Sequence, residues 1–258
     1  MALLLFKTPV FGPITSRRLG ASLGVNLLPT DGKLCNFDCL YCECGFNEDH
    51  RPAEKMPTAR VVLDALETRL EALARDRRRV DAITFAGNGE PTMHPEFPAV
   101  VEGVAALRDR FQPDAKIALL TNAARLLVPG VLESMRLIDL PMLKLDAVDD
   151  DYVRFVDRPQ CRYSVKSVLE AMGRLETPFW IQTMFMRGEH EGRSVDNTTE
   201  AFVAPWLEAL LALKPAGVSI YTLDRDTPVG TLVKCAPAEL DRIAERVRAA
   251  GLNVQVSY

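Results

Sequence analysis

From residue 80 onward, short runs of apolar and β-branched residues alternate with longer stretches whose apolar positions recur every three or four residues. The short runs predict strands at Ser22–Leu27, Ala82–Phe85, Lys116–Leu120, Met142–Ala147, Phe179–Met186 and Val218–Leu223. The longer stretches predict helices at about 58–78, 95–111, 129–137, 163–175, 198–213 and 237–250. Asn197 and Glu200 read as a capping box that opens the fifth helix, and Gly251 as the stop of the sixth. Beyond Gly251, "LNVQVSY" alternates apolar and polar positions, the pattern of a last strand at a sheet edge.

Alternating strands and helices give a parallel sheet with helical crossovers. Six such units plus one strand predict an α/β fold, either a partial barrel or a curved open sheet. Ligands of these sheets bind at the carboxyl ends of the strands. The unusual residues fall there: the cysteine loop after the first strand, "GNGEPTMHP" after the second, "TNAAR" after the third, "DAVDD" after the fourth, "RGEHEGR" after the fifth and "DRDTP" after the sixth. The polar stretch Arg187–Asn197 at this face reads as a lid or a partner surface.

With 258 residues, 48% apolar, and no Ser/Gly- or Pro-rich linker, the chain reads as one domain over 1–258, with a core barrel over 20–250 and a cluster loop over 30–45. A net charge of −4 supplies no global attraction to a phosphate backbone. The basic run Arg75–Arg79 closes the first helix on the opposite face and reads as a solvated helix end. Leu3–Phe6 is too short for a signal peptide's apolar segment, and no eighteen apolar residues run together. A soluble, cytoplasmic protein that meets no membrane is expected.

Four of the six cysteines lie within "CNFDCLYCEC", Cys35 to Cys44. In a reducing compartment such spacing marks metal or redox chemistry before a disulfide framework. Cys35, Cys39 and Cys42, spaced C-x3-C-x2-C, let one loop offer three thiolates to three irons of a cubane, with the fourth iron open to a small molecule. Two other readings use the same residues: a four-cysteine zinc site completed by Cys44, and a closed electron-carrying cluster. Zinc sites usually add a second distant pair, and only isolated Cys161 and Cys235 remain. His50, His94 and His190 are scattered and give a histidine-based metal site or triad little support.

The C-x3-C-x2-C loop, with aromatic Tyr41 before its last cysteine and placed after the first strand of a βα array, resembles the signature of the radical S-adenosylmethionine (radical SAM) superfamily. The resemblance covers most of the chain and implies a partial (β/α)6 barrel with an additional C-terminal strand. It implies a [4Fe-4S] cluster on Cys35, Cys39 and Cys42, with SAM chelating the fourth iron. One electron then cleaves SAM to methionine and a 5′-deoxyadenosyl radical, which abstracts hydrogen from a substrate. "AGNGEPT" resembles the family's Gly-Gly-Glu-Pro motif, which holds the methionyl amino group of SAM. Gly89, Glu90 and Pro91 match it, Gly87 precedes it, and Asn88 stands where the first glycine would be. That departure leaves the ammonium contact open between backbone carbonyls and Glu90.

Further candidates come from strand periodicity. Lys144 and Asp146 share a face of a buried strand, where charges are costly unless paired or used. An ion pair at the rim and a substrate role fit them equally. Trp180, Gln182, Met184 and Met186 share a face that reads mostly as core, with Gln182 needing a polar partner in SAM, substrate or protein. Asn122 reads equally as a SAM contact and a turn former. Arg225 reads as an anion ligand or as the partner of Asp224 or Asp226.

"FGPITSRRLGASLGVNLLP", the cysteine loop, "TFAGNGEPTMHPEF" and "LLTNAA" together resemble a bacterial Fe–S oxidoreductase group related to tRNA wyosine synthases. Those synthases carry a second cluster; here no cysteine precedes Cys35, so Cys44, Cys161 and Cys235 would have to supply one. The resemblance implies electrons from a separate flavodoxin or ferredoxin and a substrate that is tRNA, protein or small molecule. A glycyl-radical-enzyme activase is the alternative enzyme, and a zinc or electron-transfer module the alternative without catalysis.

Overall fold

A computed structural model describes residues 4–258, so Leu3 of the apolar N-terminal run lies outside the described residues. The chain opens with β1 (Val10–Ser16), β2 (Gly20–Val25), α1 (Ala59–Arg75), β3 (Ala82–Phe85), α2 (Phe97–Phe111) and β4 (Lys116–Thr121). It continues through α3 (Val131–Ser134), β5 (Leu140–Lys144), α4 (Asp150–Val156), α5 (Val165–Met172), β6 (Trp180–Met184), β7 (Met186–His190) and β8 (Arg193–Ser194). The last elements are α6 (Glu200–Leu213), β9 (Gly217–Tyr221), β10 (Leu232–Lys234), α7 (Pro237–Ala249) and β11 (Val254–Ser257).

Eight strands form one sheet in the order β1-β2-β3-β4-β5-β6-β9-β11. All neighbours are parallel except β1, which pairs antiparallel with β2. The sheet curls into a half-barrel, as the βα alternation and the final alternating strand predict. Its convex face is apolar, carrying Leu23, Val25, Ile83, Phe85, Ile117, Leu119, Leu143, Ile181, Val218 and Ile220 into one core with the helices. Helix α1 enters that core through Val62, Leu66, Leu70 and Leu73, a single stripe at helical spacing. The concave face is different: Ser22, Thr84, Ala118, Gln182 and Ser219 face inward by the strand period. A closed barrel fills its interior with layers of branched side chains, and small or polar ones in their place leave room for a ligand.

Three features depart from the predicted pattern. Strand β1, paired with the predicted first strand β2, adds an antiparallel edge where no strand is predicted. The stretch Arg187–Asn197 is no free loop: β7 pairs with β8 and with β10 in a separate three-stranded sheet, beside which the predicted strand Phe179–Met186 divides into β6 and β7. The capping box is also corrected. Thr199 is the N-cap of α6, without a side-chain bond, and Glu200 pairs instead with Arg246 of α7 at 2.6 and 2.9 Å. The Asn197 side chain is fully buried and ties the rim together. It accepts from Met186 N at 3.0 Å and donates to Met184 O at 2.8 Å and Asp146 O at 3.1 Å. Backbone groups stranded where β6 gives way to β7 need these partners more than an exposed helix end does.

Gly251 does end α7: at φ +80° it donates to Arg248 O at 2.9 Å, and Leu252 donates to Val247 O at 3.2 Å. Arg75 to Arg79 are all exposed. Among the described residues no helix is long and apolar enough to cross a membrane.

Replacing Asn197 by Ala strands one buried N–H and two buried carbonyls. We expect a loss on the order of 3 kcal/mol in urea unfolding, against little change for the exposed Lys166→Ala.

Candidate active site

The cysteine loop leaves β2, and the glycine loop leaves β3, one strand along the same rim. Main chain splices the two. Leu34 and Gly89 form a parallel bridge, Leu34 N donates to Asn88 O at 2.8 Å, and Glu90 N donates to Leu34 O at 3.3 Å. Gly89 has φ +140°, and a Cβ there would lie 1.9 Å from Leu34 O, so glycine alone permits the approach.

Within its own loop the chain is held by charge and amides. The Lys33 ammonium is buried and donates to Asp38 Oδ1 at 3.0 Å and Gly45 O at 2.7 Å, pinching the loop shut across twelve residues. Asn47 Nδ2 donates to the carbonyls of Cys35 and Phe37 at 3.1 Å each. On the far side, Asp38 N and Leu40 N donate to the carbonyls of Asp157 and Val156 at 3.1 and 2.9 Å. The apolar underside, Leu40 with Tyr152, Val153, Val156, Met184 and Met186, is a second core that seats the loop on α4 and the small sheet.

All six cysteines are free thiols. Cys35 accepts a hydrogen bond from Phe37 N at 3.4 Å, the N–H···S contact that suits a ligating thiolate. Burial pushes the Cys35 thiol up to about 12 and Cys39 well above its ordinary value. Cys42 goes the other way, to about 6: the Cys44 thiol bonds to it and the Lys33 ammonium adds to the effect, both outweighing burial. Cys44 also points at the carbonyls of Leu4 and Gly87 at 3.3 and 3.6 Å. Soft thiolates in a pocket with a fixed cation and a backbone N–H suit an iron–sulfur cluster. Among the described residues no three acidic, histidine or cysteine side chains close around a point for a single ion. Cys161 lies beside the loop, accepting from Asn36 Nδ2 at 3.6 Å, while Cys235 is buried at Thr222.

In the glycine loop the predicted contacts divide. Asn88 is fully buried and its side chain is spent on structure, bonding Phe6 N at 2.8 Å, Phe6 O at 2.9 Å and Pro29 O at 2.8 Å. In place of the motif's glycine it clamps the N-terminal segment to the β2 exit, and both of its amide N–H groups are taken, so it has no donor left for a cofactor. Gly87 packs on Asn26, whose Oδ1 a Cβ would meet at 2.2 Å. The Glu90 carboxylate is buried and accepts from Thr92 N, Thr92 Oγ1 and Thr121 Oγ1 at 3.1, 2.6 and 2.7 Å, and from Asn122 N at 2.8 Å. Burial still holds its pKa above the usual carboxylate range. Oε1 is saturated; Oε2 carries one bond and retains a free lone pair. Asn122 is a turn former whose amide also reaches the cysteine loop. Its Oδ1 accepts from Ala124 N at 3.1 Å as a turn former, while its amide donates to Asn36 Oδ1 at 2.7 Å and lies 4.0 Å from Cys35 Sγ.

Lys144 and Asp146 form the ion pair that strand periodicity offers as one of two readings, and the structure adds two partners. Asp157 Oδ1 lies 2.8 Å from Lys144 Nζ, and the Tyr41 hydroxyl bonds to both Lys144 and Asp146. Burial pushes the Lys144 ammonium down, but two carboxylates outweigh it and hold it well above its ordinary value. Burial raises the Asp157 carboxyl to about 7, against the pull of Lys144. Tyr41 therefore joins the cysteine loop to a charged network, and its hydroxyl is not free for a cofactor. Gln182 finds protein partners: Oε1 accepts from Arg18 Nη1 at 2.8 Å and Nε2 donates to Met142 O at 3.0 Å. Arg225 pairs with neither neighbouring aspartate but with Glu43 of the cysteine loop. Lys33, Thr92, Thr121, Asp157 and Arg18 escape sequence reading.

Residues 31–198, more than half of the chain, match the model of the Radical SAM superfamily, and the chain belongs to that superfamily. Its members are enzymes that use a [4Fe-4S] cluster and SAM and need an electron donor. A UPF0026 protein of Helicobacter pylori is 28% identical over 220 residues, covering 84% of this chain and 66% of the relative. The crystal structure of a radical SAM methyltransferase from Sphaerobacter thermophilus superposes with a TM-score of 0.68 at 18% identity, over 92% of this chain and 66% of that one. Archaeal TYW1 superposes with a TM-score of 0.54 at 12% identity, over 89% and 72%. The chain spans about half to two-thirds of the length of its Helicobacter pylori relatives.

Two outcomes test this geometry. Gly89→Ala forces Leu34 away, and anaerobic reconstitution followed by iron and sulfide analysis should show most of the cluster lost while the far-UV spectrum is kept. Asp157 binds its proton more tightly folded than unfolded, so it lowers stability as pH rises from about 4 to about 7. Asp157→Asn removes that contribution, and urea melts across the window should show a flatter pH profile than the wild type.

Proposed function

We propose that this chain is a catalytic radical SAM domain over residues 1–258, holding a [4Fe-4S] cluster on Cys35, Cys39 and Cys42. The carrying observation is three free thiols on one loop, spliced by main chain to a glycine turn at the open mouth of a half-barrel. The cluster, when bound, supplies one electron to cleave SAM, which yields a hydrogen-abstracting 5′-deoxyadenosyl radical.

The chain's own residues do the rest. Cys42, held low by Cys44 and Lys33, is a thiolate at neutral pH and the first thiol ready to ligate; Cys35 and Cys39 give up their protons on binding. Lys33 balances the thiolates' negative charge from beneath. The absent Cβ atoms of Gly87 and Gly89 serve the close packing on Asn26 and Leu34, and the backbone carbonyls of this turn and the remaining lone pair of Glu90 Oε2 are the acceptors it offers to the amino group of SAM. Asn122 donates toward the Cys35 side. Lys144, Asp146, Asp157 and Tyr41 form a buried hydrogen-bonded cluster that ties the cysteine loop to β5 and the end of α4.

Electrons come from a separate flavodoxin or ferredoxin. The chain works in the cytoplasm, whose reducing poise keeps six unpaired cysteines as thiols. Kinship with the UPF0026 protein and the fold of TYW1 support a modification enzyme of the wyosine-related group, with tRNA as a substrate to test.

The test is anaerobic. Protein with a reconstituted, reduced cluster should form 5′-deoxyadenosine from SAM, and its EPR signal should change when SAM is added. Cys35→Ala, Cys39→Ala and Cys42→Ala should each abolish the product; a zinc-filled protein, or product formed without these thiols, contradicts the reading.

A further inference from the structure

The turn between β1 and β2 belongs to one edge of the sheet yet touches the other. Gln255 of β11 donates to the carbonyls of Arg17 and Arg18 at 3.4 Å each, and Arg17 bonds Tyr258 O and lies 3.4 Å from Asp224. The turn thus closes the open side of the half-barrel and sends the Arg18 side chain into its interior. There the guanidinium lies 4.6 Å over the Tyr221 ring and gives one N–H to Gln182.

Two properties set Arg18 apart. Four cations at this end are matched by acid: Lys33 by Asp38, Lys144 by Asp146 and Asp157, Arg225 by Glu43, and Arg17 by Asp224. Among the described residues no carboxylate oxygen lies within 4.0 Å of the Arg18 guanidinium. The wall around it is polar as well. The register aligns Lys144, Gln182, Ser219 and Gln255 in one inward row, and Tyr221 with Ser257 in the next. The hydroxyls of Ser219 and Ser257 are buried and make no hydrogen bond. A stacked guanidinium with spare N–H groups on a polar wall is a recognition surface for a planar or tetrahedral oxyanion. The same row leads through Lys144 to Tyr41 on the underside of the cysteine loop, so a molecule gripped at Arg18 extends toward the reacting end.

Resting on the radical SAM reading above, we propose that Arg18 is the substrate anchor of this enzyme, binding a carboxylate or phosphate group of the substrate inside the half-barrel. Tyr221 holds the guanidinium plane, and Gln182 fixes its rotation, leaving the remaining donors to the anion.

The experiment uses the reconstituted protein with inorganic phosphate and acetate as separate probes at constant ionic strength, following thermal stability and the fluorescence of Trp180, two residues from Gln182 on the inward face. At least one anion should saturate in the wild type, and phosphate against acetate identifies the group. Arg18→Gln should weaken that binding at least about tenfold, the loss of one charge-assisted hydrogen bond or more, with Arg18→Lys between the two. Equal anion binding in wild type and Arg18→Gln overturns the proposal. So does a wild type indifferent to both anions whose Arg18→Gln variant merely melts earlier, which makes Arg18 a latch of the β1–β2 turn. Formation of 5′-deoxyadenosine by the wild type is measured alongside: its failure strikes the radical reading, whereas its presence without Arg18-dependent binding strikes this proposal alone.

Discussion

The backbone splice between Leu34 and Gly89 is the contact on which the site depends. Neither loop has regular structure of its own, and each leaves a different strand. Their joint position is set by the bridge and its two hydrogen bonds, and these need a residue without a Cβ at Gly89. Once the bridge is made, the cysteines and the turn opposite them move as one body. The buried Lys33 then fixes the curl of the cysteine loop, and Glu90 fixes the glycine turn by accepting from Thr92, Thr121 and Asn122. Three strands' ends are thereby locked by groups that face inward.

The same economy shapes the barrel. The convex face is apolar where it meets the helices, whereas the concave face mixes polar groups with Trp180, Met142 and Met184. The interior of the half-barrel is thus polar along the row Lys144, Gln182, Ser219 and Gln255. The charges brought into it are mostly self-neutralised, as in the Lys144, Asp146, Asp157 and Tyr41 cluster, because an unpaired buried charge is costly. Arg18 stands outside that rule, and its exception directs attention to the substrate.

Much of this was legible in sequence. Ala82–Phe85 is a strand to the residue, and the chemistry-bearing stretches fall at one rim, because strand periodicity and βα order fix both. The C-x3-C-x2-C loop marks metal or redox chemistry by its spacing, and its resemblance to the radical SAM signature narrows that chemistry to a cluster and SAM. What escaped is long-range or short-period. "VFGPITS" hides β1 behind a glycine and a proline; α4 spans only seven residues; and β7 with β8 reads as a polar loop because its small sheet is solvated. Asp157 completes the Lys144 cluster from the end of α4, a contact no strand pattern encodes. Asn88 and Asn197 were misjudged for one reason: both amides serve buried backbone groups, and such demand is visible only when the chain is folded.

In the proposed site three thiols of one loop hold four irons, one of which is left for SAM. Mössbauer spectroscopy of the chain reconstituted with 57Fe, with and without SAM, tests that arrangement directly. A [4Fe-4S] spectrum in which a single iron site changes on adding SAM is expected. Four irons that all ignore SAM, or a protein that takes up no cluster, would contradict it.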